Sequence, residues 1–312
     1  MAVIDQVITD NYALYNGDCV EVLESMPDAS IDMSVFSPPF ADLYCYSDID
    51  QDMGNSGSYA QFFEHFSFLT AQLYRITKPG RLVVVHCIDI PAMKERDGYI
   101  GLKDFPGDII RNYTAQGFIY HSRVVIWKDP LIEATRTKAL GLMHKQLVKD
   151  SSMCRAGLPD YIVVFRKPGE NTTPIEHKEG LQTYAGGDPP KGTGLTLQHN
   201  IWRRYASPVW MDIRQTRTLN AKAARDSKDE KHICPLQLDV IERACVLWSN
   251  PGEVVLTPFM GVGSECYGAV INGRRAIGIE LKPSYYKQSV RNMEAIDYTS
   301  LEDADMFAGA EK

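Results

Sequence analysis

The sequence predicts a doubly wound α/β fold, a mostly parallel sheet with helices on both faces. Three observations carry this. Short apolar runs rich in Val, Ile, Tyr and Phe alternate along the chain with amphipathic stretches of helical period. Several of these runs, such as residues 31–36 and 81–88, are apolar almost throughout, as expected of strands covered on both sides. Residues 253–280 read as strand, glycine loop, helix, strand and acid, the unit that joins two parallel strands through a crossover helix. At 312 residues and 44% hydrophobic content, the chain can bury the core that such a sheet requires.

Taken in order, strands are expected at 12–17 and 31–36, with a helix at 19–25 between them that Asp18 can cap. A helix at 59–77 leads into strand 81–88, and a helix at 105–115 into strand 119–127. Strand 160–166 stands alone. Residues 167–198 are Pro- and Gly-rich and poorly periodic, so they read as linker or irregular loop. Helix 235–248, strand 253–257, helix 264–272, strand 275–280 and helix 283–294 complete the pattern. Ser264 can cap its helix, and Pro283 falls at an early helical position, where its missing N–H has no partner to lose. No internal repeat is evident.

Two loops carry candidate chemistry. Ser37-Pro38-Pro39-Phe40 follows strand 31–36 and so sits where a strand stops. Two prolines remove two backbone donors and leave bare carbonyls beside a hydroxyl and an aromatic face. Such a corner can accept hydrogen bonds from an exocyclic amine while Phe40 stacks on the ring bearing it; an ordinary turn is the plain alternative. In the second loop, Gly261 and Gly263 after Phe259 let the backbone approach a ligand, and Glu280 at the next strand end can hold ribose hydroxyls. This unit would bind a nucleoside. A dinucleotide site is the alternative, although the third small residue of that fingerprint is here Cys266.

With Asn16-Gly17-Asp18, Ser37 to Phe40, Lys78-Pro79-Gly80, Phe259-x-Gly261-x-Gly263 and Gly278-Ile279-Glu280 in this order, the chain resembles the amino-group DNA methyltransferases of the β motif order. The resemblance covers roughly residues 10–127 and 232–294. It implies methyl transfer from S-adenosylmethionine to cytosine N4 or adenine N6 in DNA, on the doubly wound sheet of S-adenosylmethionine-dependent methyltransferases with an inserted DNA-recognition region. Within the family a leading Asp in the tetrapeptide usually accompanies adenine, and Ser-Pro-Pro-aromatic is more typical of cytosine. Ser37 therefore points to cytosine N4, with adenine N6 as the alternative.

The resemblance also assigns roles. Ser37 Oγ and the Pro38 carbonyl would accept the amine N–H bonds, with Pro39 shaping the corner and Phe40 stacking on a base turned out of the duplex. The adenosine would lie between Phe259 and Asp18, with Glu280 on the ribose and Gly261, Gly263 and Ser264 near the methionine part. A comparable His-x-x-Pro helix start, here His232 and Pro235, lies beside the methionine carboxylate; His232 also reads as a structural residue, and Asp18 as a plain helix cap. No strong base is needed, because the methylated nitrogen can lose its proton to solvent. His86, His144 and His199 show no triad or metal spacing. Residues 1–127 would form the catalytic half, 128–231 the recognition insertion with 160–166 as a sheet strand, 232–294 the cofactor half and 295–312 an acidic tail.

The formal charge of -7 conceals an uneven distribution. Residues 1–74 hold twelve acids and no Lys or Arg, and the end of the chain is acidic too, which leaves an excess of ten positive charges on residues 75–293. That local basicity suits a polyanion. Arg136, Lys138 and Lys145 in one stretch, and Arg203, Arg204, Arg214 and Arg217 in another, are the candidate DNA contacts, with Trp202, Tyr205 and Trp210 as stacking groups or as core. The polar loop from Asp42 to Ser58, with Tyr44 and Tyr46, reads either as a lid over the base or as surface loop.

Seven scattered cysteines without a Cys-x-x-Cys argue for reduced thiols and no metal, and the order in Cys234-Pro235 is the reverse of the Pro-Cys dipeptide of cytosine-5 enzymes. No run of about eighteen apolar residues and no signal-like amino terminus are present, so a cytoplasmic protein is expected. A methylase of protein amides, which usually begins the tetrapeptide with Asn, and a DNA-binding module without a cofactor are the competing classes.

Overall fold

The computed structural model describes residues 3–40, 56, 58–92, 94–137, 140–187, 196–219 and 235–298. The chain runs through β1 (Asp5–Ile8), β2 (Tyr12–Asn16), α1 (Cys19–Glu24), β3 (Ile31–Phe36), α2 (Tyr59–Ile76), β4 (Thr77–Cys87), β5 (Ile90–Ala92), α3 (Lys94–Asp97), β6 (Gly101–Lys103), α4 (Phe105–Ala115) and β7 (Ile119–Ile126). It continues through α5 (Pro130–Thr137), α6 (His144–Lys149), β8 (Asp160–Arg166), α7 (Leu197–Tyr205), β9 (Val209–Trp210), α8 (Leu238–Trp248), β10 (Val254–Thr257), α9 (Ser264–Ile271), β11 (Arg275–Glu280) and α10 (Pro283–Glu294).

Nine strands form one sheet in the order β1-β2-β11-β10-β3-β4-β8-β7-β9. Strands β2, β11, β10, β3 and β4 are parallel neighbours, and β8 is antiparallel to both β4 and β7. Period-two alternation divides the side chains between two cores. Met33 and Val35, Leu82 and Val84, Val124 and Ile126, and Ile162 and Val164 pack beneath α8, α9 and α10. Val83, Val85, Cys87, Val163 and Phe165 pack beneath α1, α2 and α4, where Tyr113 stacks on Phe165 at 4.1 Å between ring centroids. Helices on both faces are what near-continuous apolar strands require.

The expected elements form, with boundaries shifted for local reasons. Helix α2 starts after Ser58, whose Oγ accepts from the Gln61 amide at 3.2 Å, and stops at Ile76 because Thr77 turns extended. Strand β4 therefore begins earlier than 81 and takes in Lys78-Pro79-Gly80, where a register shift against β3 accommodates the proline. Gly80 there has φ +74 and its hydrogen faces the Asn171 backbone, so a side chain would collide. Helix α8 starts at Leu238, later than expected, since Gln237 is still extended. Ser264 is not the cap of α9; that position belongs to Gly263 at φ +91. The short strands β1, β5, β6 and β9 and the helices α3, α5, α6 and α7 were not anticipated.

Arg243 on α8 ties the 184–212 segment to the sheet domain. Its buried guanidinium donates to the Ala185 carbonyl at 2.8 Å, lies 2.8 Å from Asp212 Oδ2, and sits 4.8 and 5.0 Å from the ring centres of Tyr205 and Trp210. A cation buried this deeply is tolerated because a carboxylate and aromatic faces replace its water. Among the described residues no helix is long and apolar enough to cross a membrane.

Candidate active site

From β3 the chain crosses through α2 to β4 on one side, while from β10 it crosses through α9 to β11 on the other. The boundary between β3 and β10 is thus a topological switch point, and the carboxyl ends of strands at such a point open into a crevice. Leu256 pairs with Ser34, so the loops that follow Phe36 of β3 and Thr257 of β10 leave the sheet from neighbouring strand ends. The Phe36 and Phe259 rings confirm the approach, with centroids 5.8 Å apart. Both loops therefore border one crevice.

The glycine loop is braced from below. Glu280 accepts the Gly261 amide on Oε2 and the Lys282 amide on Oε1, each at 2.8 Å. Asn16 donates to the Glu280 and Leu281 carbonyls at 2.7 and 2.9 Å, and the Gly17 amide reaches the Glu280 carbonyl, which registers the ends of β2 and β11 side by side. A Cβ on Gly278 would strike Met260 and Cys266, and one on Gly263 would crowd Ser289. At Gly261, by contrast, φ is +55 and the space a side chain would occupy is open. Ser264 Oγ is buried without a hydrogen-bond partner. An open glycine, an orphaned hydroxyl and a half-buried Phe259 beside a fixed carboxylate suit a nucleoside-bearing ligand.

Asp18 caps α1, accepting from the Glu21 amide at 3.0 Å, and burial raises its carboxyl above the usual range. It stands two residues beyond Asn16, which pairs with Glu280, so the cap also faces the ligand end of the sheet. Sequence reasoning overlooked Glu265. This second residue of α9 is 5% exposed, and burial pushes its carboxyl up to about 8.

At the other loop, Pro38 is buried and Ser37, Pro39 and Phe40 are half-buried, with Phe40 edge-on to Phe105 at 6.2 Å. Ser37 Oγ lies 2.8 Å from His86 Nδ1. His86 Nε2 is 3.1 Å from Asp160 Oδ2, and Lys128 Nζ is 2.5 Å from Asp160 Oδ1, ion-pair distances that lack the alignment of good hydrogen bonds. The expectation that no histidine joins a triad-like pattern is thereby corrected. Ser37, His86 and Asp160 lie far apart in sequence, and only the sheet brings them together.

The basic residues divide. Arg214 grips the buried Asp239 through Nε at 3.0 Å and Nη2 at 2.6 Å, and Arg217 reaches both Asp239 and Glu242. Their partners are internal, so both brace α8, while their side chains keep 43% and 32% exposure. Lys145 and Arg203 are exposed, Arg204 is half-buried, and Trp202 is 58% exposed, whereas Tyr205 and Trp210 belong to the core around Arg243. Arg136 lies in α5, but its side chain, like Lys138, His232, Cys234 and the Tyr44 and Tyr46 loop, lies outside the described residues. Pro235 is half-buried just ahead of α8.

Comparison with known proteins agrees with this geometry. The orphan methyltransferase M.BamHII of Bacillus amyloliquefaciens is 25% identical over 271 residues, spanning 84% of this chain and 88% of its own. The type II methyltransferase M.BglI of Bacillus subtilis is 22% identical over 330 residues, spanning 90% and 85%. Among solved structures, a DNA modification methylase of Thermus thermophilus, TTHA0409, in complex with S-adenosyl-L-methionine superposes with a TM-score of 0.62 at 23% identity, covering 89% of this chain and 91% of its own. The cytosine-N4-specific PvuII DNA methyltransferase gives 0.62 at 18% identity, covering 95% and 91%. The family model of the N6/N4 DNA methylases matches residues 31–291, and the chain belongs to that family: it is an S-adenosylmethionine-dependent DNA methyltransferase of the amino-group class.

Proposed function

We propose that this methyltransferase modifies the N4 amine of cytosine in DNA, with the base turned out of the duplex into the Ser37–Phe40 corner. The observation that carries the reading is that the corner and the glycine loop leave neighbouring parallel strands, with the Phe36 and Phe259 rings 5.8 Å apart between them. Asp18, Phe259, Gly261, Gly263, Ser264, Glu280 and Pro235 would hold S-adenosylmethionine, which when bound supplies a methyl carbon activated by its sulfonium.

The remaining chemistry falls to the chain's own residues. A base amine is a poor nucleophile because its lone pair is delocalised into the ring. Ser37 Oγ and the Pro38 carbonyl, accepting one N–H each, favour the pyramidal nitrogen that the transition state needs. Phe40 stacks on the base and fixes its plane. The spare proton leaves to solvent, so neither corner residue has to ionise. A neutral serine at the head of the tetrapeptide is the feature that favours cytosine over adenine.

Lys145 and Arg203, exposed on the insertion, would contact backbone phosphates, with Arg204 beside them. Incubating the protein with S-adenosylmethionine and mixed-sequence duplex DNA, followed by nucleoside mass analysis, tests the reading. N4-methylcytosine is expected. N6-methyladenine would transfer the same site to the other base, and methylation of protein acceptors in place of DNA would overturn the assignment.

A further inference from the structure

Four polar residues stand in a row along the carboxyl edge of the sheet, and strand alternation explains why. Ser37 continues the Met33, Val35 row of β3, and His86 continues the Leu82, Val84 row of β4. Antiparallel β8 presents its first residue, Asp160, at the same edge, in phase with Ile162 and Val164, and Lys128 lies two residues beyond Ile126 of β7, which pairs with Asp160. All four project on the face covered by α8, α9 and α10. No cofactor or amine contact requires the last three.

The contacts suggest a polarity for the row. A carboxylate only accepts, so in a neutral ring the nitrogen 3.1 Å from Asp160, Nε2, is the one to carry the hydrogen, and Nδ1 is then an acceptor. The Ser37 hydroxyl at 2.8 Å would then donate to Nδ1. We propose that His86 is a positioning residue: backed by Asp160 and Lys128, its neutral ring takes the Ser37 hydroxyl hydrogen and leaves Ser37 Oγ nothing but lone pairs to offer the target amine. This deepens the proposed function and rests on Ser37 accepting from that amine.

Lys128 completes the row by sharing Asp160 with the ring. Burial works against the Asp160 charge, but His86 and Lys128 outweigh it and hold the carboxyl below its usual range. Other titratable groups around the ring are the buried Cys87 thiol, then Asp89, Tyr161 and Arg123, which contact one another further along the edge. On the covering helix α8, Asp239 and Glu242 are engaged with Arg214 and Arg217.

Two measurements on the full chain test this. In ¹⁵N-histidine NMR of the cofactor-free protein, His86 is expected as the Nε2–H tautomer; an Nδ1–H tautomer at neutral pH overturns the assignment whether or not the protein is active. Single-turnover methyl transfer to mixed-sequence duplex DNA is then measured. His86→Ala should lose about tenfold, the worth of one hydrogen bond. His86→Asn, which returns an acceptor near the Nδ1 position, should recover most of that loss. Equal rates for wild type and His86→Ala, or no recovery in His86→Asn, would sink the role of His86. If the wild type transfers to DNA and Ser37→Ala does not, either of those results removes His86 alone and leaves the proposed function standing; a wild type that methylates no DNA removes the function itself.

Discussion

Replacing Glu265 with Gln isolates the cost of burying one carboxylate next to the ligand crevice. Burial pushes this group from 4.5 up to about 8, its own backbone amide acts against the rise, and the Glu280 charge adds to it. The folded value lies above the unfolded one. Between about pH 4.5 and pH 8 the folded protein therefore keeps a proton that the unfolded chain has released, so stability is full below the lower value and falls as pH rises through the window. The gap between the two values corresponds to roughly 5 kcal/mol if the site does not relax. Glutamine has the same shape and no charge at any pH.

The variant should accordingly match the wild type near pH 4.5 and exceed it by a few kcal/mol above about pH 8. Urea unfolding of both proteins across this range measures the difference, and every other titrating group cancels because both proteins carry it. A difference that stays constant with pH would refute the reasoning, since it would mean that Glu265 ionises as freely in the folded protein as in water.

Other perturbations probe the remaining assignments. Phe259→Ala should weaken S-adenosylmethionine binding by about tenfold, the scale of one stacked ring, as read by calorimetry; unchanged affinity would move the cofactor elsewhere. Removing Lys145 and Arg203 together should flatten the salt dependence of DNA binding by about 0.9 per lost phosphate contact. Arg217→Ala should leave that slope alone and instead lower unfolding free energy by roughly 1–3 kcal/mol, because Asp239 and Glu242 lose a partner. Arg243→Met should cost roughly 3–5 kcal/mol in urea unfolding, since Asp212 keeps a largely buried charge without its cation.

Most of the sheet was legible because its strands are covered on both faces and hence largely apolar; residues 31–36, 160–166 and 275–280 needed no further clue. What escaped was decided by partners rather than by local pattern. Strand β9 has two residues and exists only through pairing with β7, and the start of β4 runs through a Pro-Gly pair that reads as a turn until the bulge against β3 is seen. Arg214 and Arg217 looked like any exposed basic pair, because nothing near them in sequence announces a buried Asp239 over twenty residues away.

The same division runs through the site. The diproline and glycine loops were recognisable because each needs special backbone chemistry within a few residues, and that chemistry leaves a local signature. The His86 row leaves none: its members lie on or just beyond four strands, and a histidine near the end of one apolar strand has no sequence neighbour that reveals its task. Alternation nevertheless holds the missing clue. Ser37, His86 and Lys128 each take the next inward position after apolar, buried inward residues of a strand, and Asp160 precedes such a row in antiparallel β8. A polar residue that extends a buried apolar row at the ligand edge of a parallel sheet has lost most of its access to water and must find its partner on the adjacent strand. Once strand order is known, the pairing of Ser37 with His86 follows by continuing the β3–β4 register, whereas His86, whose register partner is Ile162, reaches Asp160 diagonally across β8.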